Sequence, residues 1–393
     1  MPRDICIVTD SYHKKGGIER YNVELADHLV KSGYRVSVVA RNVDYPTANL
    51  FRIMRVESSA SYAPLRMIMS GIAASKQARD FKKEFPGAII IASGLFCAFS
   101  DVYIAHSVHR RSISLTNAMS AKEDRSPRGM IHRVLRWFAP PNVVVNIFEW
   151  ASVKYATDKI IAVSEKTKKE ILGIYHIPEN KITVVYNGVN MEEFISRAEV
   201  RQNIRRDNGF SDDDFLLITS ANEFKRKGLK YIIMALALIN DSKVKLIVAG
   251  KDNPDQYQRL AERRGVDKRA FFIGSRSDLA AWFAASDIFV FPTLDDAFGL
   301  VALEAMAAGL PVVASNAKFM GAAEIMHDGE DALLLKDPTS SEEIAEKIHL
   351  LMSDAKLRKS LSENAQQTAS RYSWDKVTQR VVGAVISRGD PKG

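Results

Sequence analysis

Several things are scarce or missing in this 393-residue chain, and each absence removes a class of protein. It has only two cysteines, Cys6 and Cys97, each inside an apolar run. That argues against a disulfide framework and for buried thiols in a reducing compartment. No stretch of ~20 uninterrupted apolar residues offers a membrane span. The first residues lack a basic region leading into a long apolar one, so the chain reads as cytoplasmic. No Gly-x-Gly-x-x-Gly follows the first apolar run, which counts against a dinucleotide oxidoreductase. Acidic residues are unevenly placed. Residues 1–195 carry 27 Lys+Arg against 19 Asp+Glu, whereas residues 196–393 carry 28 of each. The whole formal excess of +8 therefore lies in the first half. Such a one-sided charge points to an anionic partner, a membrane surface or nucleic acid, and no nucleic-acid-binding motif supports the second.

What is present suits two folded domains of ordinary size and composition. In the first half, 5–8 reads as a strand. The loop with Gly16 and Gly17 then leads to a helix with apolar positions at Ile18, Val23, Leu25, Ala26, Leu29 and Val30. Gly33 stops it and 35–40 is the next strand, which makes a βαβ unit. Further strands are expected at 88–92, 101–105, 159–163 and 182–186, so this half is a doubly wound α/β domain. Glycines at a helix start let a phosphate approach closely, although Gly16-Gly17 alone fits any tight turn. His106 directly follows one strand, at the carboxyl edge where open α/β sheets place ligands, and His109 competes with it.

The second half repeats the pattern, with strands at 215–220, 243–250, 270–274, 287–291 and from 312–314, and 331–335 precedes a further helical stretch. Before the helix at 228–239 lies Lys225-Arg226-Lys227-Gly228, a set of cations fit to clamp a diphosphate or to form a basic surface turn. After 287–291, a loop with Asp295 and Asp296 opens an amphipathic helix at 300–308, stopped by Gly309 and Pro311. Asp296 sits at the helix mouth, and Glu304 lies about two turns along on the same side. Each alone reads as a capping Asp or a surface Glu. Together, flanking free N–H groups, they could hold sugar or ribose hydroxyls. Asp212-Asp213-Asp214 contains the Asp-x-Asp pattern of metal-dependent sugar transferases, but it precedes a strand and reads as a solvated turn, so no metal is expected.

These strings together resemble glycosyltransferase family 4. Asp296-x7-Glu304, with Phe298-Gly299-Leu300 between and Gly309-x-Pro311-Val-Val after, is similar to its Glu-x7-Glu signature, with Asp in place of the first Glu. Gly16-Gly17 resembles the family's first-strand loop. Arg226-Lys227-Gly228 is similar to its cationic pair, and the Phe-x-Arg-Lys-Gly form to lipopolysaccharide-core glucosyltransferases within the family. The resemblance implies a GT-B fold of two Rossmann-like doubly wound domains facing a central cleft. These would be 1–194 for the acceptor, 195–371 for a nucleotide sugar, and 372–393 as a helix crossing back. It implies a retaining, metal-independent hexosyltransferase without a cofactor. Arg226 and Lys227 would bind the leaving diphosphate. Asp296, Ala297, Phe298, Gly299, Leu300, Val301 and Glu304 would hold the donor, with Arg276 beside its base and Gly17 near its phosphates. Gly16, Gly17, His106 and His109 would lie on the acceptor side. UDP-glucose or a related UDP-hexose is the expected donor and GDP-mannose its competitor; an inactive glycan-binding scaffold is the rival class. The acceptor would be a lipid-linked or lipopolysaccharide-core glycan.

Residues 107–150 interrupt the first domain. From His106 to Arg136 they hold seven Lys/Arg against two acids, and 130–138 alternates basic and bulky apolar residues. That suits an interfacial helix against an anionic leaflet, or a helix packed on its own domain with a basic face in water. The expected location is the inner face of the cytoplasmic membrane, with contact through 107–138.

Overall fold

A computed structural model describes residues 4–57, 60–94, 97–156, 158–194 and 198–386. The chain divides into two compact units, one comprising Met1–Asn187 with Trp374–Gly393 and the other Gly188–Ser373.

The first unit holds a seven-stranded sheet of β1 (Asp4–Tyr12), β2 (Arg35–Val43), β3 (Arg52–Arg55), β4 (Ile89–Ser93), β5 (Val102–Ala105), β6 (Lys159–Ala162) and β7 (Ile182–Val184). The spatial order is β3-β2-β1-β4-β5-β6-β7, with every pair parallel. Both faces are covered, so the central strands are apolar throughout instead of alternating. The edge strand β3 is charged at both ends and only half-buried, which is why hydrophobic patterning missed it. Right-handed crossovers put the helices that lead rightward, into β4, β6 and β7, on one face. There Ala74, Ala78 and Phe81 of helix Ala63–Glu84 share a core with Val153, Ile171 and Tyr175. The other face is covered by helix Gly17–Lys31, on which helix Trp374–Ile386 packs: Tyr21 meets Trp374 edge-on at 5.1 Å, and His28 Nδ1 lies 2.6 Å from Asp375 Oδ1. The segment 107–150 folds into helices His109–Glu123, Pro127–Phe138 and Pro140–Ala151.

The second unit holds β8 (Phe215–Ser220), β9 (Val244–Ala249), β10 (Ala270–Gly274), β11 (Ile288–Phe291), β12 (Val312–Ser315) and β13 (Leu333–Leu335). Their order is β10-β9-β8-β11-β12-β13, again all parallel. The sequence order reverses direction between β8 and β11, which opens a crevice at their carboxyl ends. This unit begins at Gly188, earlier than the Phe194 boundary expected from sequence. The short helical turn Met191–Phe194 belongs with it because Phe194 packs on Phe283, ring centroids 6.1 Å apart.

Asp214 corrects the reading of 212–214 as a solvated turn. It is 7% exposed, accepts the Ser211 N–H at 2.7 Å and pairs with Lys245 at 2.5 Å. Below the sheet, Asp287 accepts the Leu216 N–H at 2.7 Å and pairs with Arg201 at 2.7 Å. The buried Arg205 donates to the carbonyls of Ala285 and Ser211, at 2.8 and 2.9 Å. A buried guanidinium is tolerated because backbone oxygens replace its water.

Candidate active site

The loop after β8 and the loop after β11 face one another because their strands are neighbours. Two glycines allow close packing here, Gly228 between the two loops and Gly299 against the segment after β12. Gly228 has φ +75°, and a Cβ there would lie 2.1 Å from the Pro292 carbonyl oxygen. Gly299 has φ +91°, and a Cβ there would lie 2.8 Å from Met320 Sδ. The loops are stitched by Leu294 N–H donating to the Arg226 carbonyl at 2.8 Å. Behind them, Ser315 Oγ donates to the Thr293 carbonyl at 2.7 Å, and Thr293 Oγ1 to the Asp295 carbonyl at 3.0 Å. The segment after β12 holds the second loop from the far side, with Asp296 N–H on the Phe319 carbonyl at 2.7 Å and Ala322 N–H on the Phe298 carbonyl at 2.6 Å.

Arg226 and Lys227 converge on this loop. Arg226 Nη1 and Lys227 Nζ both donate to the Asp295 carbonyl, at 3.0 and 3.2 Å. Glu223 grips the Arg226 guanidinium with both oxygens, at 3.0 and 2.7 Å. Lys227 is 8% exposed and makes an ion pair with Asp296 Oδ2, while Asp296 Oδ1 accepts the Phe298 N–H at 3.2 Å. Burial would push the Asp296 carboxyl up, but the Lys227 and Arg226 cations outweigh it and hold the group below its usual range. Burial lowers the Lys227 ammonium, and Asp296 offsets part of that. Two cations therefore sit beside an ionised carboxylate at the mouth of helix Leu300–Ala307. The first N–H groups of that helix, from Leu300 and Val301, have no acceptor within the helix. Such a place suits a phosphate-bearing ligand.

Glu304 is on this helix and 6% exposed. Its burial sets aside the surface reading, and its helix corrects one expectation. The Glu is not on the surface, and the helix is not amphipathic, since Ala302 to Ala307 are all buried. A short helix that is apolar apart from Glu304 is an inner element, here clasped by helix Ala355–Ser370 through Ser362 Oγ on the Gly309 carbonyl at 2.6 Å. Arg276 is the residue expected beside the nucleotide base. It follows β10, which β9 separates from β8, and pairs in a fork with Asp278 at 2.8 and 2.7 Å. Sequence reasoning also missed Glu223, Thr293 and Ser315. Only Glu223 carried a signal, its placement three residues before Arg226.

In the first unit, Gly16 is the N-cap of helix Gly17–Lys31, and a Cβ on Gly17 would meet nothing within 4 Å. Tyr21, one turn on, contacts His106 edge-on at 4.7 Å. His106 directly follows β5, its Nε2 lies 2.9 Å from Ser93 Oγ, and burial lowers its pKa to about 3. It is therefore a neutral hydrogen-bonding ring at physiological pH. His109 opens the first helix of the insert. Its amide donates to Glu149 at 2.8 Å and its Nε2 lies 3.2 Å from Asn142 Oδ1, which ties it to the insert itself.

Two family models match the chain: Glycosyltransferase Family 4 over residues 15–193 and Glycosyl transferases group 1 over 200–368. The chain belongs to the glycosyltransferase group 1/family 4 enzymes, which are GT-B proteins that transfer a sugar from a nucleotide sugar. The family is a retaining one. Among similar proteins, the uncharacterized glycosyltransferase MJ1607 of Methanocaldococcus jannaschii is 26% identical, covering 96% of either chain. The lipopolysaccharide glucosyltransferase WaaG of Escherichia coli is 24% identical over 91% of this chain and 92% of its own. The fold superposes on a crystal structure of WaaG with a TM-score of 0.77, at 22% identity and covering 98% and 100% of the two chains. For Anabaena HepE in complex with UDP and glucose the TM-score is 0.74, at 19% identity and covering 98% and 100%.

Proposed function

We propose that this enzyme transfers a hexose, glucose in the first instance, from its UDP-sugar to a lipid-linked or lipopolysaccharide-core glycan, with retention and without a metal ion. The observation that carries this reading is the convergence of Arg226 and Lys227 on the Asp295–Asp296 loop at the β8/β11 crevice. As the bond from the sugar's anomeric carbon to the diphosphate breaks and one to the acceptor hydroxyl oxygen forms, negative charge grows on the diphosphate, which takes up the proton that the hydroxyl loses. Two fixed cations and the first amides of helix Leu300–Ala307 stabilise that charge, an electrostatic role that ordinarily dominates such catalysis. Asp296 with the backbone of Ala297, Phe298, Gly299, Leu300 and Val301 holds the sugar, and Glu304 the ribose. Gly16, Gly17 and His106 serve the acceptor side, and the neutral His106 acts there as a hydrogen-bonding group. UDP-glucose is favoured by the Phe224-x-Arg226-Lys227-Gly228 likeness, by the glucosyltransferase named among the relatives, and by the UDP and glucose named with HepE.

The insert supports a membrane partner. Helix Pro127–Phe138 keeps Ile131, Leu135 and Phe138 exposed beside Arg128. No helix among the described residues is long and apolar enough to cross a membrane, so contact would be peripheral, at the inner face of the cytoplasmic membrane. The test is calorimetric binding of UDP-glucose, UDP-galactose, UDP-N-acetylglucosamine and GDP-mannose with and without EDTA. Binding of one UDP-sugar that EDTA does not change, and that Lys227→Ala and Glu304→Ala weaken, is expected. Preference for GDP-mannose would replace the donor, and binding of none would favour an inactive scaffold.

A further inference from the structure

The insert is not the only part of the first unit that shows large apolar side chains to solvent. On helix Ala63–Glu84, Leu65, Met69 and Ile72 are 48%, 41% and 63% exposed. Spacings of four and three put them on one stripe, opposite the Ala74, Ala78 and Phe81 side that fills the core. Chain direction fixes where this stripe lies. In a parallel sheet a helix that returns the chain to the start of the next strand begins at the carboxyl edge and ends at the amino edge. Helix Ala63–Glu84 returns the chain to β4, so its first half, with the stripe, lies at the carboxyl edge. Helix Pro140–Ala151 returns the chain toward β6, so Pro127–Phe138, which feeds into its start, lies at the same edge. Helices Ala63–Glu84 and Pro140–Ala151 pack against each other on one face of the sheet. His106, at the end of β5, is at that edge too.

Charge selects the occupant. From Ser58 to Arg79 there is no acidic residue but there are Arg66, Lys76 and Arg79; from Arg125 to Phe148 there is again none, with four arginines. A two-fold pairing of copies would set these two basic stretches on their own copies and bury like charges together. An anionic bilayer instead receives the apolar side chains at its acyl boundary and offers phosphates to the arginines. We infer that helix Ala63–Glu84 is a second membrane-contacting element, which acts with the insert to seat the carboxyl edge of the first sheet, and with it His106, on an anionic lipid surface. This extends the membrane part of the proposed function and does not depend on the donor site. With two separate elements in contact, the orientation of the first unit on the membrane is fixed, and a lipid-linked acceptor meets the sheet edge at a set height.

Flotation of the full chain with vesicles of phosphatidylglycerol and phosphatidylethanolamine, or of phosphatidylcholine alone, tests this. Met69→Glu/Ile72→Glu and Leu135→Glu/Phe138→Glu alter exposed positions, and melting curves with calorimetric UDP binding verify that both units remain folded. Each pair is expected to weaken anionic-vesicle binding by at least about 10-fold, since two apolar contacts become carboxylates facing anionic lipid, and the combination to abolish it. Little binding to phosphatidylcholine is expected. Parental binding by Met69→Glu/Ile72→Glu, equal binding to both lipids, no binding by the parent, or a dimer in light scattering that this pair dissociates would each overturn the inference. Absence of vesicle binding by the parent chain, with its UDP-sugar binding intact, would defeat it alone and leave the transferase reading standing.

Discussion

Lys227 and Asp296 show how a single contact can set a site's working range. Burial pulls the Lys227 proton off and the Asp296 carboxylate keeps it on. UDP affinity should therefore fall as pH rises through the ammonium's own titration. In Asp296→Asn the same fall should begin at lower pH, and adding Lys227→Arg, which does not titrate, should flatten it; calorimetry across pH reads this directly. Lys227→Ala itself should lower turnover on the order of 10²-fold, in line with loss of one charge-stabilising donor. His106 behaves in the opposite sense as regards stability. Its folded pKa, about 3, lies below the ordinary 6.5, so the unfolded chain takes up the proton first. The contribution is full above about pH 6.5 and drains away as pH falls toward about 3, with ~2 kcal/mol lost by pH 5. Urea unfolding of His106→Gln should show a shallower loss over pH 7 to 5 than the parent; identical slopes would remove the assignment.

Among the elements, the two loops at the β8/β11 crevice are bound by backbone that leaves no room for a side chain. Gly228→Ala adds a Cβ at φ +75° that would lie 2.1 Å from the Pro292 carbonyl oxygen, so the strand–loop junction must shift. A loss of about 2 to 4 kcal/mol in urea unfolding, together with weakened UDP binding, is expected. Element types were largely legible from sequence wherever the apolar run was continuous, as in β4, β8 and β11. The helix Leu300–Ala307 was located correctly but assigned the wrong surroundings. Its small apolar residues tolerate burial on every side, and only the position of helix Ala355–Ser370 decides that they receive it.

In the molecule as a whole, 188–373 is one continuous stretch with its own sheet and core, whereas the first unit is closed by a helix from the far end of the chain. A fragment of 188–373 should fold cooperatively and retain UDP binding. A fragment ending at Asn187 should lose cooperative unfolding, because Tyr21 would be stripped of Trp374. Circular dichroism melts of the two fragments compare these directly. By itself the sequence determined two doubly wound domains, the carboxylate–helix–glycine string around Asp296 and Glu304, and the cations at Arg226 and Lys227. Those features rest on local periodicity and on residue chemistry, which are written along the chain. Only the tertiary structure decided that Lys227 pairs with Asp296, that Glu223 holds Arg226, that Arg276 pairs with Asp278, and that Leu65, Met69 and Ile72 face water at the edge that carries His106. These depend on strand order and on the direction of each return helix, and neighbours separated by tens of residues leave no local pattern to read.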